Sequence, residues 1–198
     1  MRRVVQAVIL VGALVLSSGC AVVDRAGAAA VVDGVRYTDS RLAADFVLLN
    51  KALGKQKAPG TMEEVNRNFI TIFVADQILQ KAVADNDIKP DKAAVGKLRR
   101  SLEKQLGSKA ALEAFAATRG IAPNQIWAVL RNSVLTTDLG AKLIGGTNTD
   151  NQNSAANEYL RGLAKTMHIE VAPRFGTWDA SSLTTVAPAN DLSAAASL

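Results

Sequence analysis

Most of this chain carries apolar residues at helical spacing, and this pattern limits what it can fold into. Between Asp39 and Leu53, for example, Leu42, Phe46 and Leu49 fall on one side of a helix. Hydrophobic residues make up 48% of the chain but aromatic residues only 5%, so the core must consist largely of Ala, Val and Leu. We predict a mostly α fold of about six helices, at residues 39–53, 61–85, 90–106, 108–119, 123–144 and 154–166.

Two short segments have the pattern of strands. Asp33-Gly34 lies between β-branched residues, which is a strong signal for a tight hairpin. Residues 169–172, Ile-Glu-Val-Ala, have the alternating pattern of side chains that is typical of a short strand. Pro173 follows and ends the strand. Because a lone hairpin or strand is not stable in water, we predict that the two segments pair in a small antiparallel sheet. This sheet would close a single domain over residues 30–178.

The residues after the last predicted strand have two different characters. Residues 173–178 combine Arg174 with Phe175 and Trp178, and such a segment can either latch onto the domain or contact a partner; we favour a latch in which Trp178 covers the sheet. Residues 179–198 are rich in Ala, Ser and Thr and offer little to bury. We predict that they form a disordered tail.

The first residues have the features of a bacterial export signal. Arg2 and Arg3 precede an apolar run from Val4 to Leu16, which is too short to span a bilayer comfortably. The following Ser-Ser-Gly-Cys resembles the lipobox of bacterial lipoproteins, which implies that Cys20 is acylated. Residues 1–19 are then a signal peptide, residues 20–29 a tether, and the protein is held on the extracytoplasmic face of the cell membrane. The alternative is a secreted protein with an unmodified cysteine.

Composition argues against several classes of function. The formal net charge is +5, two units of which belong to Arg2 and Arg3, and no basic cluster is interleaved with aromatics, so nucleic acid is not an expected partner. Cys20 is the only cysteine and His168 the only histidine, which leaves too few residues for a catalytic triad or a zinc site. The polar stretch at residues 145–153 lacks the lysine of a phosphate loop. We therefore expect no catalytic residues, no metal and no cofactor, and interpret His168 as structural or solvated.

The chain resembles the N-terminal domain of the SurA and PrsA family of extracytoplasmic chaperones. The lipoprotein leader, the hairpin-to-helix sequence Val-Val-Asp-Gly-Val-Arg-Tyr-Thr-Asp at residues 31–39 and the helix spacing over residues 29–144 carry this resemblance. Residues 154–178 are similar to the helix and strand that complete the domain in such proteins. Many relatives hold a parvulin-type prolyl isomerase domain before that last segment, but residues 145–153 are too few to contain one. The resemblance implies a chaperone-like module without isomerase activity.

Four residues are candidates for a surface that binds polypeptides. Met62, Phe69, Phe73 and Trp127, together with Phe115, could line a groove for unfolded chains, since such a groove must present apolar area. Their spacing is equally that of core residues.

Two functions are compatible with these features. The leading hypothesis is a non-enzymatic, lipid-anchored protein that binds unfolded or exported polypeptides. The alternative is a structural or adaptor lipoprotein that docks one dedicated envelope protein.

Overall fold

The protein is described by a computed structural model that covers residues 26–188. Six α-helices dominate it, which confirms the mostly α prediction. Five short strands and two 3-10 turns make up the other elements of the described residues. In chain order the elements are β1 (Ala28–Val32), β2 (Val35–Thr38), α1 (Asp39–Leu53), α2 (Met62–Asp85), α3 (Lys92–Leu106), α4 (Lys109–Ala117), a turn at Pro123–Gln125, α5 (Ile126–Ile144), α6 (Thr149–Ala164), β3 (Ile169–Val171), a turn at Pro173–Phe175, β4 (Thr177–Asp179) and β5 (Thr184–Val186).

The N-terminal hairpin turns at Asp33-Gly34, as predicted. Both residues have positive φ, 45° for Asp33 and 84° for Gly34. This combination suits a two-residue turn whose twist matches that of the flanking strands. The turn thus holds β1 and β2 side by side in antiparallel pairing.

The two ends of the domain meet in one sheet, which confirms the predicted closure. The strand order is β2-β1-β3, and β3 pairs antiparallel with β1 so that Val31 lies opposite Glu170. The Asp33 side chain extends this junction, because its Oδ1 accepts the backbone N–H of His168 at 2.9 Å. Residues from opposite ends of the described chain therefore depend on each other for their backbone hydrogen bonds.

The helices begin where short polar side chains can cap them. Thr61 and Glu64 form a reciprocal capping box at the start of α2, and Ser108 caps α4. Asp91 caps α3, which begins two residues after the predicted start. These side chains satisfy backbone N–H groups that a helix start leaves without partners.

Helix α6 begins earlier than predicted. Residues 145–153 read as a polar linker, but Asn148 caps a helix that starts at Thr149 and ends at Ala164. Gln152 contributes to this start, since its Nε2 donates to the carbonyl oxygen of Gly146 at 2.9 Å. The Asn and Asp residues that suggested a linker instead form the first turn of the helix, where such residues are favoured.

Two domain boundaries also differ from the prediction. Strand β1 begins at Ala28, within the predicted tether, and both Ala28 and Ala29 are buried residues of this strand. At the other end, residues 179–188 are not a disordered tail in the structure: β4 and β5 pair as a hairpin. The Thr185 N–H of this hairpin donates to Thr71 Oγ1 of α2 at 2.9 Å, so tertiary packing holds a segment whose composition is polar. The predicted signal peptide, the tether up to residue 25 and residues 189–198 lie outside the described residues.

Two groups of buried side chains form the interior. The main core contains buried side chains from the helices, including Leu49 of α1, Phe69 of α2 and Leu135 of α5. Residues of the sheet pack against them. A smaller cluster around Leu112 and Ile126 lies between α3, α4 and the start of α5. Helix α5 contributes to both groups and connects them.

Candidate functional site

The structure separates the four residues predicted to bind polypeptides. Phe69 and Phe73 are buried in the main core, which is the alternative that their spacing left open. Phe73 stacks on Tyr37 with ring centroids 5.1 Å apart, which is a packing role. Met62 and Trp127 are 58% and 38% exposed at the starts of α2 and α5. The two pairs therefore do not form a common surface.

A cleft lies instead at the end of the molecule where the sheet closes. Its volume is about 760 Å³, and it is bounded by β1, the C-terminal end of α6, β3, the Pro173–Phe175 turn and β4. We call it the closing cleft. Volumes of this order are typical of ligand-binding pockets.

The closing cleft has both apolar and polar walls, and most of the residues along it have apolar side chains. Ala30, Met167, Ile169 and Val171 contribute from the sheet side, and Trp178 contributes from β4. Trp178 also packs against the main core, which agrees with the predicted latch. Its Nε1 is buried and finds no hydrogen-bond partner among the described residues.

Three charged residues line the cleft; Arg174 has an ionic partner, and Glu170 lies close to a histidine. Arg174 donates to Asp39 Oδ1 at 2.5 Å. Glu170 Oε1 lies 2.8 Å from His168 Nε2. Lys165, by contrast, is exposed at the end of α6, and within residues 26–188 no carboxylate lies at ion-pair distance from it. The cleft therefore has one cation that is available to an outside group.

Strand β3 gives the closing cleft an edge of backbone groups. The N–H of Asp33 donates to the carbonyl oxygen of His168, and that of Ala172 donates to Ala29, both at 2.9 Å. Backbone groups alternate sides along an antiparallel strand, so those of Glu170 point toward β1 and those of Ile169 and Val171 point away from it. In the described part of the chain no other strand pairs with that outer side.

A buried polar cluster joins β2, α1 and the start of α5. The Asp45 carboxylate, 1% exposed, accepts hydrogen bonds from Tyr37 Oη at 2.5 Å, Asn124 Nδ2 at 2.6 Å and Gln125 Nε2 at 3.2 Å. Burial, and then the bond to Asp45, raise the pKa of the Tyr37 hydroxyl far above its usual value. Because Tyr37 and Asp45 are buried and bonded to each other, we interpret the cluster as a positioning network and not as a site of chemistry.

Sequence reasoning overlooked most of the closing cleft. Residues 173–178 were recognisable as an unusual segment because an arginine and two aromatics occur together, but Lys165, Ile169 and Val171 carry no motif. Asp45 did offer a signal, since it occupies the buried side of the first helix next to Phe46.

The described residues show neither a membrane-spanning helix nor a metal site. Within residues 26–188, no helix combines the length and apolar character that a bilayer crossing requires. No group of three His, Cys, Asp or Glu side chains in that range is arranged to hold a metal ion.

Comparison of this chain with protein-family models, curated proteins and solved structures finds no match. The resemblance to the SurA and PrsA chaperones therefore stays a prediction that depends on the residues quoted for it. The structure defines the architectural class of the protein. It is a mostly helical domain that is closed by a sheet and has an open cleft lined in part by an edge strand.

Proposed function

We propose that this protein is a lipid-anchored, chaperone-like protein that binds unfolded or exported polypeptides on the extracytoplasmic face of a bacterial membrane, without prolyl isomerase activity. The observation that carries the proposal is the closing cleft, which apolar side chains line together with residues of the edge strand β3. Unfolded chains share apolar side chains and a polar backbone, so a surface that offers partners for both can bind many sequences.

The arrangement of the chain is compatible with an anchor at Cys20. Eight peptide units separate Cys20 from Ala28, which lines the cleft, and even when fully extended they span about 28 Å at most. A diacylated cysteine provides enough hydrocarbon for stable attachment. The anchor would therefore hold the cleft close to the bilayer surface, where exported chains emerge.

The lack of isomerase activity is proposed from the connection between α5 and α6. Only residues 145–148 separate these helices, and they leave no room for an inserted domain. His168 has an exposed side chain, and its ring contacts Glu170. A proline-peptide assay should show no acceleration of cis/trans exchange.

The binding function can be tested with matched tryptophan substitutions on one hairpin. Full-length protein in nanodiscs should suppress aggregation of a chemically unfolded exported protein. Thr177→Trp should abolish this effect because Thr177 lines the cleft, whereas Thr184→Trp should leave it intact because Thr184 lies on β5, away from the cleft. Failure of the unmodified protein to suppress aggregation at stoichiometric excess would overturn the proposal.

The alternative function, docking of one dedicated envelope protein, has its own supporting observation. Phe115 is 42% exposed and Trp127 38% exposed, and each lies beside a residue of the smaller cluster. An adaptor would lose its partner on Phe115→Ala or Trp127→Ala and would keep it on Thr177→Trp. Crosslinking in intact cells that retain Cys20 separates the two functions, because an adaptor should yield a single partner and a chaperone many.

A further inference from the structure

We propose that the domain contacts the anionic surface of the membrane through a basic stripe on helix α3, formed by Lys97, Arg100 and Lys104. We call these three residues the α3 stripe. The inference rests on the proposed function, because it takes the lipid anchor at Cys20 as given and adds an electrostatic contact with lipid headgroups. This second contact would fix the orientation of the domain on the bilayer, which a single tether leaves free.

The α3 stripe lies on the side of its helix that faces away from the protein. On the inward side, Val95 is 1% exposed, and Leu102 and Leu106 pack against the smaller cluster. The three basic residues follow the i, i+3, i+7 spacing of one helix face, and all of them are exposed. At 1.5 Å per residue they extend over about 10 Å of the helix axis. They therefore form one outward row of cations.

None of these three cations is paired with a carboxylate in the described part of the chain. No acidic side chain there lies at ion-pair distance from any of them. The acidic residues around the helix have other partners. Glu103 bonds to Arg99 at 2.8 Å, Glu113 of α4 lies 3.6 Å from Lys109, and Asp91 accepts backbone N–H groups at the helix start. The charge of the stripe is therefore available to an outside group.

The positive charge of the domain is concentrated around this helix. Residues 89–109 contain seven lysines and arginines and two acidic residues, which gives a formal charge of +5. The other residues in the range 26–188 contain 13 basic and 14 acidic side chains, which gives −1. The segment around α3 thus accounts for the whole positive surplus of the described chain.

The chemistry of the α3 stripe suits a lipid surface better than a protein partner. Residues 89–109 contain no aromatic side chain. Protein interfaces are enriched in aromatic residues and depleted in lysine, so this segment lacks their usual composition. Anionic headgroups require only positive charge close to the surface, and each lysine or arginine there strengthens binding about fivefold. A row of three exposed cations meets that requirement.

The tether and α3 are both connected to the first half of α1. The N–H of Asp39, at the start of that helix, donates to the carbonyl oxygen of Gly27, next to the tether. Farther along the same half, Asp45 accepts a hydrogen bond from Gln125, which immediately precedes α5 and the smaller cluster on which α3 packs. Helix α3 therefore belongs to the part of the domain that the tether would hold toward the bilayer.

A second row of lysines provides a matched control. Lys51, Lys55 and Lys57 are exposed, and within residues 26–188 they too have no carboxylate at ion-pair distance. They lie at the other end of α1 and just beyond it, and Glu63 and Glu64 follow them in the chain. We expect this row to stay away from the membrane.

The test measures how fast lysine amines are acetylated in full-length protein that is held in nanodiscs. In discs that contain phosphatidylglycerol, Lys97 and Lys104 should react at least fivefold more slowly than in discs of phosphatidylcholine alone. Lys51 and Lys57 should change less than twofold. About 0.5 M salt should remove the difference, because salt screens exposed charges.

A single substitution tests the contribution of the third cation. Arg100→Gln leaves both reporter lysines in place and should lower the ratio of membrane-bound to free orientations about fivefold. Lys55→Gln removes the same charge from the control row and should leave this ratio unchanged. Equal protection of Lys97 and Lys104 in the two variants would overturn the role of the α3 stripe.

Two further outcomes would overturn the membrane contact. Equal acetylation of Lys97 and Lys104 in both kinds of disc would show that the stripe is only solvated. Protection by soluble polyglutamate in phosphatidylcholine discs, without protection by phosphatidylglycerol, would identify an acidic polypeptide as the partner.

These results are separable from those that test the proposed function. The mass of the purified protein shows whether Cys20 is acylated, and an unmodified cysteine would overturn the anchor and the membrane contact together. If the protein suppresses aggregation but its α3 lysines are not protected, the membrane contact is wrong and the chaperone function stands. If the α3 lysines are protected and aggregation is not suppressed, the opposite holds.

Discussion

Asp45 shows how a buried carboxylate is accommodated in this domain without an ion pair. Three side-chain donors, from Tyr37, Asn124 and Gln125, surround it. In the described residues no lysine or arginine lies at ion-pair distance from it. Buried charges are tolerated only when hydrogen bonds replace their water. Because its donors come from β2 and from the turn that precedes α5, the carboxylate on α1 fixes the positions of these elements relative to one another.

Removing one of these donors should destabilise the protein. Tyr37→Phe leaves the buried carboxylate with one hydrogen bond fewer, which should lower the free energy of unfolding by about 1–3 kcal/mol. The matched control is Tyr159→Phe, whose hydroxyl accepts only a part-buried bond from Asn86 at 3.1 Å and should matter less. Urea unfolding measures both variants. An equal loss in the two would contradict the role of the Asp45 cluster.

The same tyrosine should make stability depend on pH in the alkaline range. Burial raises the pKa of Tyr37 in the folded state above the value of 10.0 expected when unfolded. The unfolded chain therefore releases the proton first, and the stabilisation present below pH 10 is lost as the pH rises further. Unfolding midpoints between pH 9 and 11 should fall more steeply for the unmodified protein than for Tyr37→Phe. Parallel profiles would contradict this assignment.

Asp179 should make the turn between β4 and β5 sensitive to acidic pH. Its carboxylate accepts bonds from the Ser181 N–H at 2.9 Å, and from the hydroxyls of Ser181 and Ser182 at 2.7 Å, which lower its pKa to about 2. The turn between β4 and β5 should therefore stay intact as the pH falls to 3 and loosen as it approaches 2. The amide resonance of Ser181 reports this change. A midpoint near 3.8 would mean that these bonds do not form.

At the scale of elements, the closest helix contact depends on a glycine. Gly140 of α5 lies against the backbone of Gln152 in α6, and a Cβ at position 140 would overlap the Gln152 carbonyl. A side chain there forces the two helices apart. This contact has no counterpart at Gly162 of α6, which has open space around its Cα.

The two glycines provide a matched pair of substitutions. Gly140→Ala should lower the free energy of unfolding by about 3 kcal/mol or more because the helices must separate. Gly162→Ala should raise it by up to about 1 kcal/mol, since alanine is the better helix former. Thermal unfolding followed by circular dichroism compares them. An equal loss of stability in both variants would contradict the specific role of Gly140 at the contact between α5 and α6.

Local signals explain which elements could be predicted. The start of α2 follows from Thr61 and Glu64, and the first hairpin from Asp33-Gly34, because these residues act within a few positions of themselves. The hairpin of β4 and β5 could not be predicted in this way. Its Thr185 is buried against α2 and its backbone bonds to Thr71, so its order depends on residues far away in sequence.

The candidate site was predictable only in part, for the same reason. A search for exposed aromatics selects Phe69 and Phe73, whose helical spacing cannot distinguish a core face from a groove. The closing cleft forms only when β1, β3 and β4 come together, and its lining includes Ile169, Val171 and an ordinary lysine, Lys165. None of these has a sequence signature.

At the scale of the whole molecule, the two hydrophobic clusters should unfold together. Helix α5 contributes Ile126 to the smaller cluster and Leu135 to the main core, so neither can lose its structure alone. Single-tryptophan variants test this: Trp178→Phe leaves Trp127 beside the smaller cluster, and Trp127→Phe leaves Trp178 at the closing cleft. Their urea midpoints should coincide within about 0.2 M. Clearly separate midpoints would show two independent units.

Because β1 pairs with β3, the sheet cannot be completed until late in the synthesis of the domain. Residues 28–38 are made early, but the strand that completes their sheet is not made until residues 169–171 have been added. Throughout that interval one edge of β1 has no pairing partner. The alanines of β1, which are buried in the folded protein, stay uncovered. The nascent chain is therefore exposed to mispairing at its first strand for almost as long as it takes to make the domain.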